Sequence, residues 1–481
     1  MIDNSWIHNS DGSRQKPSML KTKVILTLAI LLVGTLLTVC LNGVGTNSTQ
    51  YQSEGIIIDF GDYDTVWSDA DYNVVSDPVG LLELACDSHK YTHTIEEGTV
   101  IEIGGVTNTT DHSWGLWYVS RGALDFVKAD SYSINAKDYT VVAWAYCSSD
   151  GAPAIGVDAS GTSIYGYSIA RSTVTLSPSA TEILGSLNAI TTLVGTDYYS
   201  DYPESVVEGR KSESIKVVGT YTDPSYESIM KLSPDLVICD GSQYNHIQMA
   251  KTLRNSQVGA VLLYDGENIQ SILNNIFIVG VAMGYEERAK YVIDELKDAI
   301  GELESVVSGH SGTKVMISLS SSPSPYIAGR DTYAYDISNL MGGSNIYSDM
   351  YGWAHINSEF IGHSQKYGDK YNPDVIIILT DSSNYSATQE SYDSLINSLP
   401  SNWKSTNAYN ADNPYESNIY LFCESLGEMS QRSGPRVAQL SELMARVLCP
   451  DSFTDGITLD KYIGDDYSEY LTYTKDLGFG D

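Results

Sequence analysis

Basic residues are scarce in this sequence. Its 481 residues include 28 lysines and arginines against 61 aspartates and glutamates, which gives a formal net charge of −33. A protein of that charge repels a polyphosphate backbone, and no cluster of lysine and arginine offsets the repulsion. The composition therefore excludes nucleic acid as a partner and is typical of a solvated surface that faces outward.

Patterns that carry catalysis or metal binding are also lacking. The sequence has six cysteines but no Cys-x-x-Cys pair, no Ser, His and Asp in a catalytic order, and no nucleotide motif. We therefore expect a protein that is not an enzyme and holds no metal or cofactor. Outside the cytoplasm Cys86 can pair with Cys147, and Cys423 with Cys449, although spacing alone does not establish connectivity.

One long apolar run is present, near the N-terminus. Residues 24–41 carry no charge, and the run of 18 has the minimum length of a spanning helix. Basic residues precede it and the next one is Lys90, so the positive-inside rule places everything after the run outside the cytoplasm. We expect residues 1–23 in the cytoplasm, residues 24–41 as a transmembrane anchor or signal, and residues 42–54 as a tether.

The same run sets the expected localisation, which is extracytoplasmic. An uncleaved run anchors the chain at the cell surface, whereas a cleaved run leads to secretion. A lipid anchor on Cys40 is less favoured, because Val39 stands where a lipobox normally has Gly, Ala or Ser.

A β-rich pattern follows the tether. Short runs of alternating polar and apolar residues are separated by Gly, Asn and Asp, which predicts strands and turns. One helix is expected at about 78–87. The predicted strands are 55–60, 99–103, 114–120 and 139–146. We interpret residues 55–170 as a small β-rich domain.

From residue 172 the pattern is strand, helix, strand, which predicts α/β layers with mostly parallel sheets. A long amphipathic segment at 285–307 predicts a helix between two lobes. The fold class is therefore α/β, with two Rossmann-like lobes joined by a long backbone helix and preceded by the β-rich domain and the membrane helix. The predicted division is 172–283 for the first lobe, 284–308 for the interlobe helix, 310–449 for the second lobe and 450–481 for a C-terminal tail.

The two lobes contain the same short pattern of residues. In the first lobe Tyr221 precedes Glu227 by six residues, and a proline, an aspartate and a buried strand follow. In the second lobe Trp353 precedes Glu359 by six, and the same features follow. Ligands bind in loops at the carboxyl ends of strands in α/β sheets. The repeated pattern therefore predicts an aromatic side chain on each side of one cleft.

Several segments resemble successive motifs of the helical-backbone substrate-binding proteins of ABC transporters. They are 177–184 (SPSATEIL), 200–203 (SDYP), 216–219 (KVVG) and 232–237 (LSPDLV). The resemblance covers about residues 172–449, and within that family it is to the vitamin B12-binding proteins of cobalamin importers. It implies a protein that captures cobalamin or a related corrinoid and delivers it to the permease and ATPase of an importer.

The resemblance also implies site residues. Tyr221 and Trp353 match positions that place aromatic rings against the corrin. Glu428 and Arg432 match an acidic and basic pair in the pocket, and Tyr199 lies in an aromatic loop of the first lobe. The family has Trp at the position of Tyr221 and Asp at the position of Glu428, so haem or a ferric siderophore stays open as the ligand.

Two carboxylates have a separate implied role. Glu227 and Glu359 match the residues with which this family docks onto arginines of its permease, one from each lobe. From the residues alone, both also suit the first turn of a helix. Likewise, Glu428 and Arg432 suit a helix-surface pair, and the candidate aromatics suit loops that pack within their own lobes.

The β-rich domain has a resemblance of its own. Its segments 81–85, 114–119 and 138–144 resemble the carboxyl-terminal β domain of transcobalamin and intrinsic factor. The lobes and the β-rich domain each resemble proteins that bind corrinoids. Together these two resemblances favour a corrinoid ligand over haem or a siderophore. A different class stays open, in which the chain is a surface adhesion or interaction protein and the β-rich domain is the working part.

Overall fold

The structure, a computed structural model, describes most of the chain after the expected tether. The described residues are 54–120, 126–148, 151, 153, 157–162, 164, 170–310, 312–381 and 385–477. The expected cytoplasmic segment, membrane run and nearly all of the tether, residues 1–53, lie outside them. Within the described residues, no helix is both long and apolar enough to cross a membrane.

The β-rich segment folds around a five-stranded sheet with the order β2-β1-β8-β6-β7, in which β1 and β8 are parallel. A small second sheet has the order β3-β4-β5. The elements are β1 (Gly55–Asp59), β2 (Thr65–Asp69), α1 (Pro78–His89), β3 (His93–Glu96), β4 (Thr99–Ile103), β5 (Val106–Thr107), β6 (His112–Ser120), β7 (Val127–Lys128) and β8 (Tyr139–Ser148). The predicted strands and the helix are thus confirmed.

The first α/β lobe is built on a parallel sheet with the order β11-β10-β9-β12-β13. Its elements are β9 (Thr173–Thr175), α2 (Pro178–Ser186), β10 (Leu193–Thr196), α3 (Glu204–Lys211), β11 (Lys216–Val217), α4 (Tyr226–Lys231), β12 (Leu236–Asp240), α5 (Tyr244–Asn255), β13 (Gly259–Leu263) and α6 (Ile269–Met283). All five residues of β12 and of β13 are buried, and all but Asp240 are apolar or glycine, as expected in a covered parallel sheet.

The long helix predicted between the lobes is present as α7 (Glu286–Val306). Its apolar residues recur at helical spacing, and Val292, Leu296 and Leu303 are fully buried. A Cβ at Gly280 of α6 would lie 2.4 Å from the Cβ of Ala289, so the glycine permits α6 and α7 to pack closely.

The second lobe has a mixed sheet with the order β17-β15-β14-β18-β19-β20, and β16 also pairs with β14. β14, β18, β19 and β20 run parallel, whereas β15 is antiparallel to both its neighbours. The elements are β14 (Thr313–Ser318), β15 (Tyr326–Ala328), α8 (Tyr333–Leu340), β16 (Gly343–Asn345), β17 (Trp353–His355), β18 (Val375–Leu379), α9 (Gln389–Ser398), β19 (Ile419–Phe422), α10 (Glu424–Met429), α11 (Val437–Leu448) and β20 (Tyr462–Ile463).

The C-terminal segment packs onto the second lobe. It supplies β20, whose Tyr462 and Ile463 pair with Leu421 and Phe422 of β19. Every residue of α11 is buried, including the polar ones. A helix that is covered all round must pair its charged side chains internally, because an unpaired charge in a low-dielectric interior is costly.

Glu442 of α11 meets that requirement. Its carboxylate accepts the backbone N–H groups of Thr472, Tyr473 and Thr474 at 2.7, 3.0 and 2.9 Å. It also accepts Nη2 of Arg446 at 2.8 Å. One buried carboxylate therefore anchors the end of the described chain to the last long helix.

The β-rich sheet lies between α1 and the helices of the lobes. On one face Ile56, Ile58 and Trp144 pack with α1. On the other face Ile57 and Ala143 join a core that includes α6 and α7. This alternation follows from the two-residue period of a strand and places the two faces of the sheet in different cores.

The tight turn between β1 and β2 bonds this sheet to α6 and α7. The Asp62 carboxylate pairs with Lys297, and its carbonyl accepts Nζ of Lys290 at 3.0 Å. The Tyr63 hydroxyl donates to Asn274 Oδ1 at 3.1 Å. These contacts lie on α6 and α7.

The five cysteines that the structure describes are all free. Cys86, Cys239, Cys423 and Cys449 are buried, and Cys147 is half-buried. The pairings that the sequence leaves open, Cys86 with Cys147 and Cys423 with Cys449, are thus not formed in the structure. Burial raises the pKa of the Cys239 thiol to about 12, as for a small apolar core residue.

Substitution of Glu442 tests the anchor of the C-terminal segment. Glu442→Ala leaves three N–H groups without their acceptor and removes one of the two carboxylates that bind Arg446, which keeps Asp455. We therefore expect the free energy of unfolding of the full chain to fall by about 3–5 kcal/mol. Urea unfolding followed by tryptophan fluorescence measures the change. The control is Glu304→Ala on the exposed side of α7, with an expected change within about 0.5 kcal/mol. Equal losses from the two substitutions would contradict the anchor.

Candidate functional site

A cavity of about 840 Å³ lies between the two lobes. Its walls are the loops that follow the carboxyl ends of β9 to β15 and β18, together with β17 and the residues around α10. This is the edge at which α/β sheets bind ligands, and the volume falls in the range of about 300–1,000 Å³ that small-molecule sites occupy. None of the described lining residues belongs to the β-rich segment.

All five predicted ligand residues line this one cavity: Tyr199, Tyr221, Trp353, Glu428 and Arg432. They come from four separated stretches of sequence, so their convergence is a property of the fold and not of local spacing. The two predicted docking residues do not line it.

Tyr221 is held by the end of β12. Its hydroxyl donates to Asp240 Oδ2 at 3.3 Å and lies 3.0 Å from Ser242 Oγ. Burial, and then the charge of Asp240, raise the pKa of Tyr221 to about 12, so the ring stays neutral at physiological pH. A neutral ring fixed at its hydroxyl presents an apolar face to the cavity.

A buried histidine, His246, bonds to the backbone of Tyr221 and of Asp240. The Asp240 backbone N–H donates to Nδ1 of His246 at 3.0 Å, and Nε2 lies 2.6 Å from the Tyr221 carbonyl. Nδ1 must therefore be the acceptor and Nε2–H the donor, which requires a neutral ring. Burial lowers the pKa of His246 and favours that state.

Trp353 faces the cavity from the second lobe. It begins β17, where it pairs with Ala328 of β15, and its half-buried side chain packs against the main core. Its place at the start of β17 makes Trp353 part of the cavity lining.

Tyr199 lies in the loop after β10. Asp197, which is buried, accepts the Tyr199 backbone N–H at 2.8 Å and also the Ser200 hydroxyl. The Tyr199 ring is 55% exposed and stands edge-on to the ring of Tyr198 at 5.3 Å between centroids. Two aromatic rings are thus available at the mouth of the cavity.

Arg432 is bound on several sides by the first lobe. Its Nη1 donates to Asp201 Oδ1 at 2.6 Å and to Glu182 Oε1 at 3.1 Å, and its Nη2 lies 3.6 Å from Glu428 Oε2. Burial acts to raise the pKa of Asp201, but the hydrogen bond and charge of Arg432 hold it below its usual value. The predicted pair of Glu428 and Arg432 is therefore part of a larger network that crosses between the lobes.

Glu182 is the centre of that network. Its side chain is 2% exposed, and Arg436 donates to it from Nε at 3.0 Å and from Nη2 at 2.6 Å. The guanidinium of Arg436 also lies 4.0 Å from the Tyr202 ring centroid. Removing one partner of such a buried pair costs about 3–5 kcal/mol, because it leaves an uncompensated charge.

Two further hydrogen bonds join the lobes at the same place. The Tyr333 N–H donates to the Gly266 carbonyl at 3.0 Å. Asp336 Oδ2 accepts the first N–H of α6, at Ile269, at 3.0 Å. With the buried network around Glu182, these contacts join the walls of the cavity, and we therefore expect the cleft to be preformed.

The position of Glu428 depends on a glycine. A Cβ at Gly427 would lie 1.6 Å from the Thr380 carbonyl oxygen, so α10 can approach the end of β18 only because this residue has no side chain. The close approach turns Glu428 and the following residues toward the cavity.

The cavity lining is acidic. Only two basic residues line it among the described residues, Arg210 and Arg432. Arg210 donates from Nη1 to the Ser200 carbonyl at 2.6 Å and lies over the Tyr198 ring, so both arginines are bound to protein groups. The acidic lining residues are Asp201, Asp240, Asp265, Asp331, Asp381 and Glu428.

The predicted docking residues lie on the surface. Glu227 is exposed in the first turn of α4, whose N-cap is Ser225. Glu359 is exposed in a single 3-10 turn and lies 3.4 Å from Lys366 Nζ. The structure thus places one exposed carboxylate on each lobe.

Several residues of the site were not predicted as such. Glu182 falls within a motif used for the resemblance, but its pairing with Arg436 joins residues 254 positions apart, which no local pattern reveals. Asp240 and Asp265 could have been found, because each ends or follows a buried parallel strand. His246 carries no sequence signal for its role.

A family model described as periplasmic binding protein matches residues 173–416. The matched segment begins at β9 and ends shortly before β19, so it includes most of both lobes and all five of the parallel-strand loops that line the cavity from the first lobe. It does not include the β-rich segment.

Individual proteins are also similar to the chain. The uncharacterized ABC transporter substrate-binding lipoprotein YvrC of Bacillus subtilis is 24% identical over 286 residues, which span 59% of this chain and 81% of that protein. A vitamin B12-binding protein of Yersinia pestis is 22% identical over 194 residues, 40% of this chain and 65% of that protein.

Among solved structures, a periplasmic heme-binding protein from Pseudomonas aeruginosa aligns with a TM-score of 0.46 and 16% identity, over 59% of this chain and 94% of that one. The family model itself covers just over half of the 481 residues. The chain belongs to the periplasmic binding protein family.

Proposed function

We propose that the chain is the extracytoplasmic substrate-binding component of an ABC importer, and that it captures cobalamin or a related corrinoid for delivery to the permease and ATPase. Membership of the periplasmic binding protein family supports the general role. The Bacillus relative is named as an ABC transporter component and the Yersinia relative as a vitamin B12-binding protein. The ligand is the part of the proposal that rests on this chain's own residues.

One observation carries the ligand proposal. The residues that the resemblance implies for corrin binding come from separate stretches of sequence, and all of them line the interlobe cavity described above. Tyr221 comes from the first lobe and Trp353 from the second. A planar ligand with large apolar faces suits a cleft that has an aromatic residue on each lobe.

The polar groups also suit a corrinoid. A corrin carries amide side chains around its rim, and amide N–H groups donate hydrogen bonds to carboxylates. Burial of one aromatic side chain removes about 150–250 Å² from water, or roughly 4–6 kcal/mol gross at about 25 cal/mol per Å². Aromatic faces can thus supply affinity, while the acidic rim sets orientation.

Haem suits this lining less well. Haem carries two propionate carboxylates, and both arginines that line the cavity already bind protein acceptors. An anionic ferric siderophore meets the same difficulty. Burying an anion beside several carboxylates without a free cation is unfavourable.

We further propose that Glu227 and Glu359 dock the two lobes onto arginines of the permease. Both are exposed, on different lobes, at the same spacing after the cleft aromatic. An exposed ion pair contributes about 0–1 kcal/mol, so the carboxylates mainly set orientation and association rate. The expected N-terminal anchor, residues 24–41, would keep the protein at the membrane beside its permease.

Two aromatic substitutions test the cleft. Titration of the full chain with cyanocobalamin, followed by calorimetry and visible absorbance, should give one-to-one binding. Trp353→Ala or Tyr221→Ala removes an apolar face, so we expect the affinity to fall tenfold or more, about 1.4 kcal/mol. Tyr221→Phe keeps the ring and should bind within about threefold of the unaltered protein.

The matched control is Tyr291→Ala, which removes an exposed tyrosine of α7 outside the cavity. It should leave the affinity unchanged. Haemin is titrated in parallel. Binding of haemin without cobalamin would replace the corrinoid by haem on the same scaffold, and binding of neither would favour an interaction protein.

Charge reversal tests the docking residues. The double change Glu227→Arg and Glu359→Arg places like charges against the expected arginines, so we expect permease association and uptake to fall at least tenfold, with corrinoid affinity unchanged. Association is measured with the permease complex in nanodiscs. Glu304→Arg on α7 is the matched control, and an equal loss from it would attribute the effect to net charge alone.

A further inference from the structure

The charge of the cleft carries an inference about which corrinoids it takes, and this inference rests on the proposed function. Carboxylates line both sides of the cavity: Asp240 and Asp265 belong to the first lobe, and Asp331 to the second. They follow β12, β13 and β15 at the carboxyl ends of three strands. The acidic lining is therefore produced by the architecture of both sheets and is not one local run of acidic residues.

These three carboxylates are not neutralised by the protein. Within the described residues none of them takes part in an ion pair, whereas the arginines of the cavity are bound elsewhere. Asp240 is buried and is hydrogen-bonded to Tyr221 and Ser242, which are neutral groups. The walls of the cavity thus carry unbalanced negative charge.

Like charges in the cleft repel one another. Burial, and then the charge of Asp240, raise the pKa of Asp265. Burial, Asp265 and Asp331 raise the pKa of Glu267, which follows Asp265 by two residues. A bound cation relieves this repulsion, whereas a neutral ligand leaves it in place and a phosphate adds to it.

Corrinoids that share the same corrin ring can differ in their net charge. In cobalamin the phosphate of the nucleotide loop cancels the positive charge of a cyano-cobalt(III) corrin, so cyanocobalamin is neutral overall. Cobinamide lacks the nucleotide and its phosphate. Aquacyanocobinamide is therefore a cation, and a second cyanide makes dicyanocobinamide neutral.

We propose that this cleft selects cationic corrinoids, and cobinamide-type molecules without the nucleotide phosphate above all, through the carboxylates of Asp240, Asp265 and Asp331. No arginine of the described lining is free to take a phosphate. The net charge of the chain, −33, adds a long-range attraction for cations. The net charge of the corrinoid, together with the shape of its ring, therefore determines which corrinoid the cleft binds.

The test compares probes that differ in charge. The full chain is titrated by visible absorbance with aquacyanocobinamide, with dicyanocobinamide in excess cyanide, and with cyanocobalamin. At about 0.05 M salt we expect the cation to bind at least tenfold tighter than either neutral corrinoid. At about 0.5 M salt the ratio should decrease, because added salt weakens the attraction between the cation and the exposed part of the acidic lining.

Two variants locate the effect. Asp265→Asn and Asp331→Asn should each reduce the preference for the cation by threefold or more, while the affinity for dicyanocobinamide changes little. Glu304→Gln on α7 removes a remote carboxylate and should leave the preference intact. The affinity for the cation should also fall as the pH falls through the raised pKa of Asp265, since protonation removes the charge.

Each outcome decides between the claims. Absence of binding by any corrinoid overturns the proposed function and this inference together. Equal affinities for the cation and the neutral corrinoids overturn the inference alone and leave the proposed function standing. A preference for the cation that persists at high salt, with a changed visible spectrum, overturns it too, because a protein group would then be replacing the water on cobalt.

Discussion

The buried carboxylate of Glu182 is the interaction on which the arrangement of the two lobes depends. It comes from α2 of the first lobe, and its partners Arg432 and Arg436 come from the loop before α11 of the second. Neither lobe satisfies this charge alone. Separation of the lobes would leave buried charges without partners, so the cleft between them has one favoured width.

The rest of the molecule is built around that fixed cleft. α6 and α7 carry the core that both lobes share, and the β-rich sheet packs on these helices through its second face. The C-terminal segment closes over α11 and is held by Glu442. The β-rich sheet and the C-terminal segment supply none of the described lining residues, so the aromatic and acidic lining stays accessible to a ligand.

Much of the fold follows from local pattern, whereas the site depends on distant contacts. The period of apolar residues predicts α7, and the buried runs predict β12 and β18. The convergence of Tyr221 and Trp353 on one cavity was expected from the repeated spacing and the family resemblance. The charge network around Glu182 and the support of Tyr221 by His246 were not, since residues far apart or without a motif create them. The free cysteines show that spacing does not predict disulfides.

A crystal structure of the chain with a bound corrinoid tests the central claim most directly. The account predicts the ring between Tyr221 and Trp353, with Arg432 and Arg436 still bonded to Glu182 and the lobes at their present separation. A corrinoid on the β-rich segment would contradict it. So would a ligand in a widened cleft with the bonds of Glu182 broken, because the preformed cleft would then be wrong.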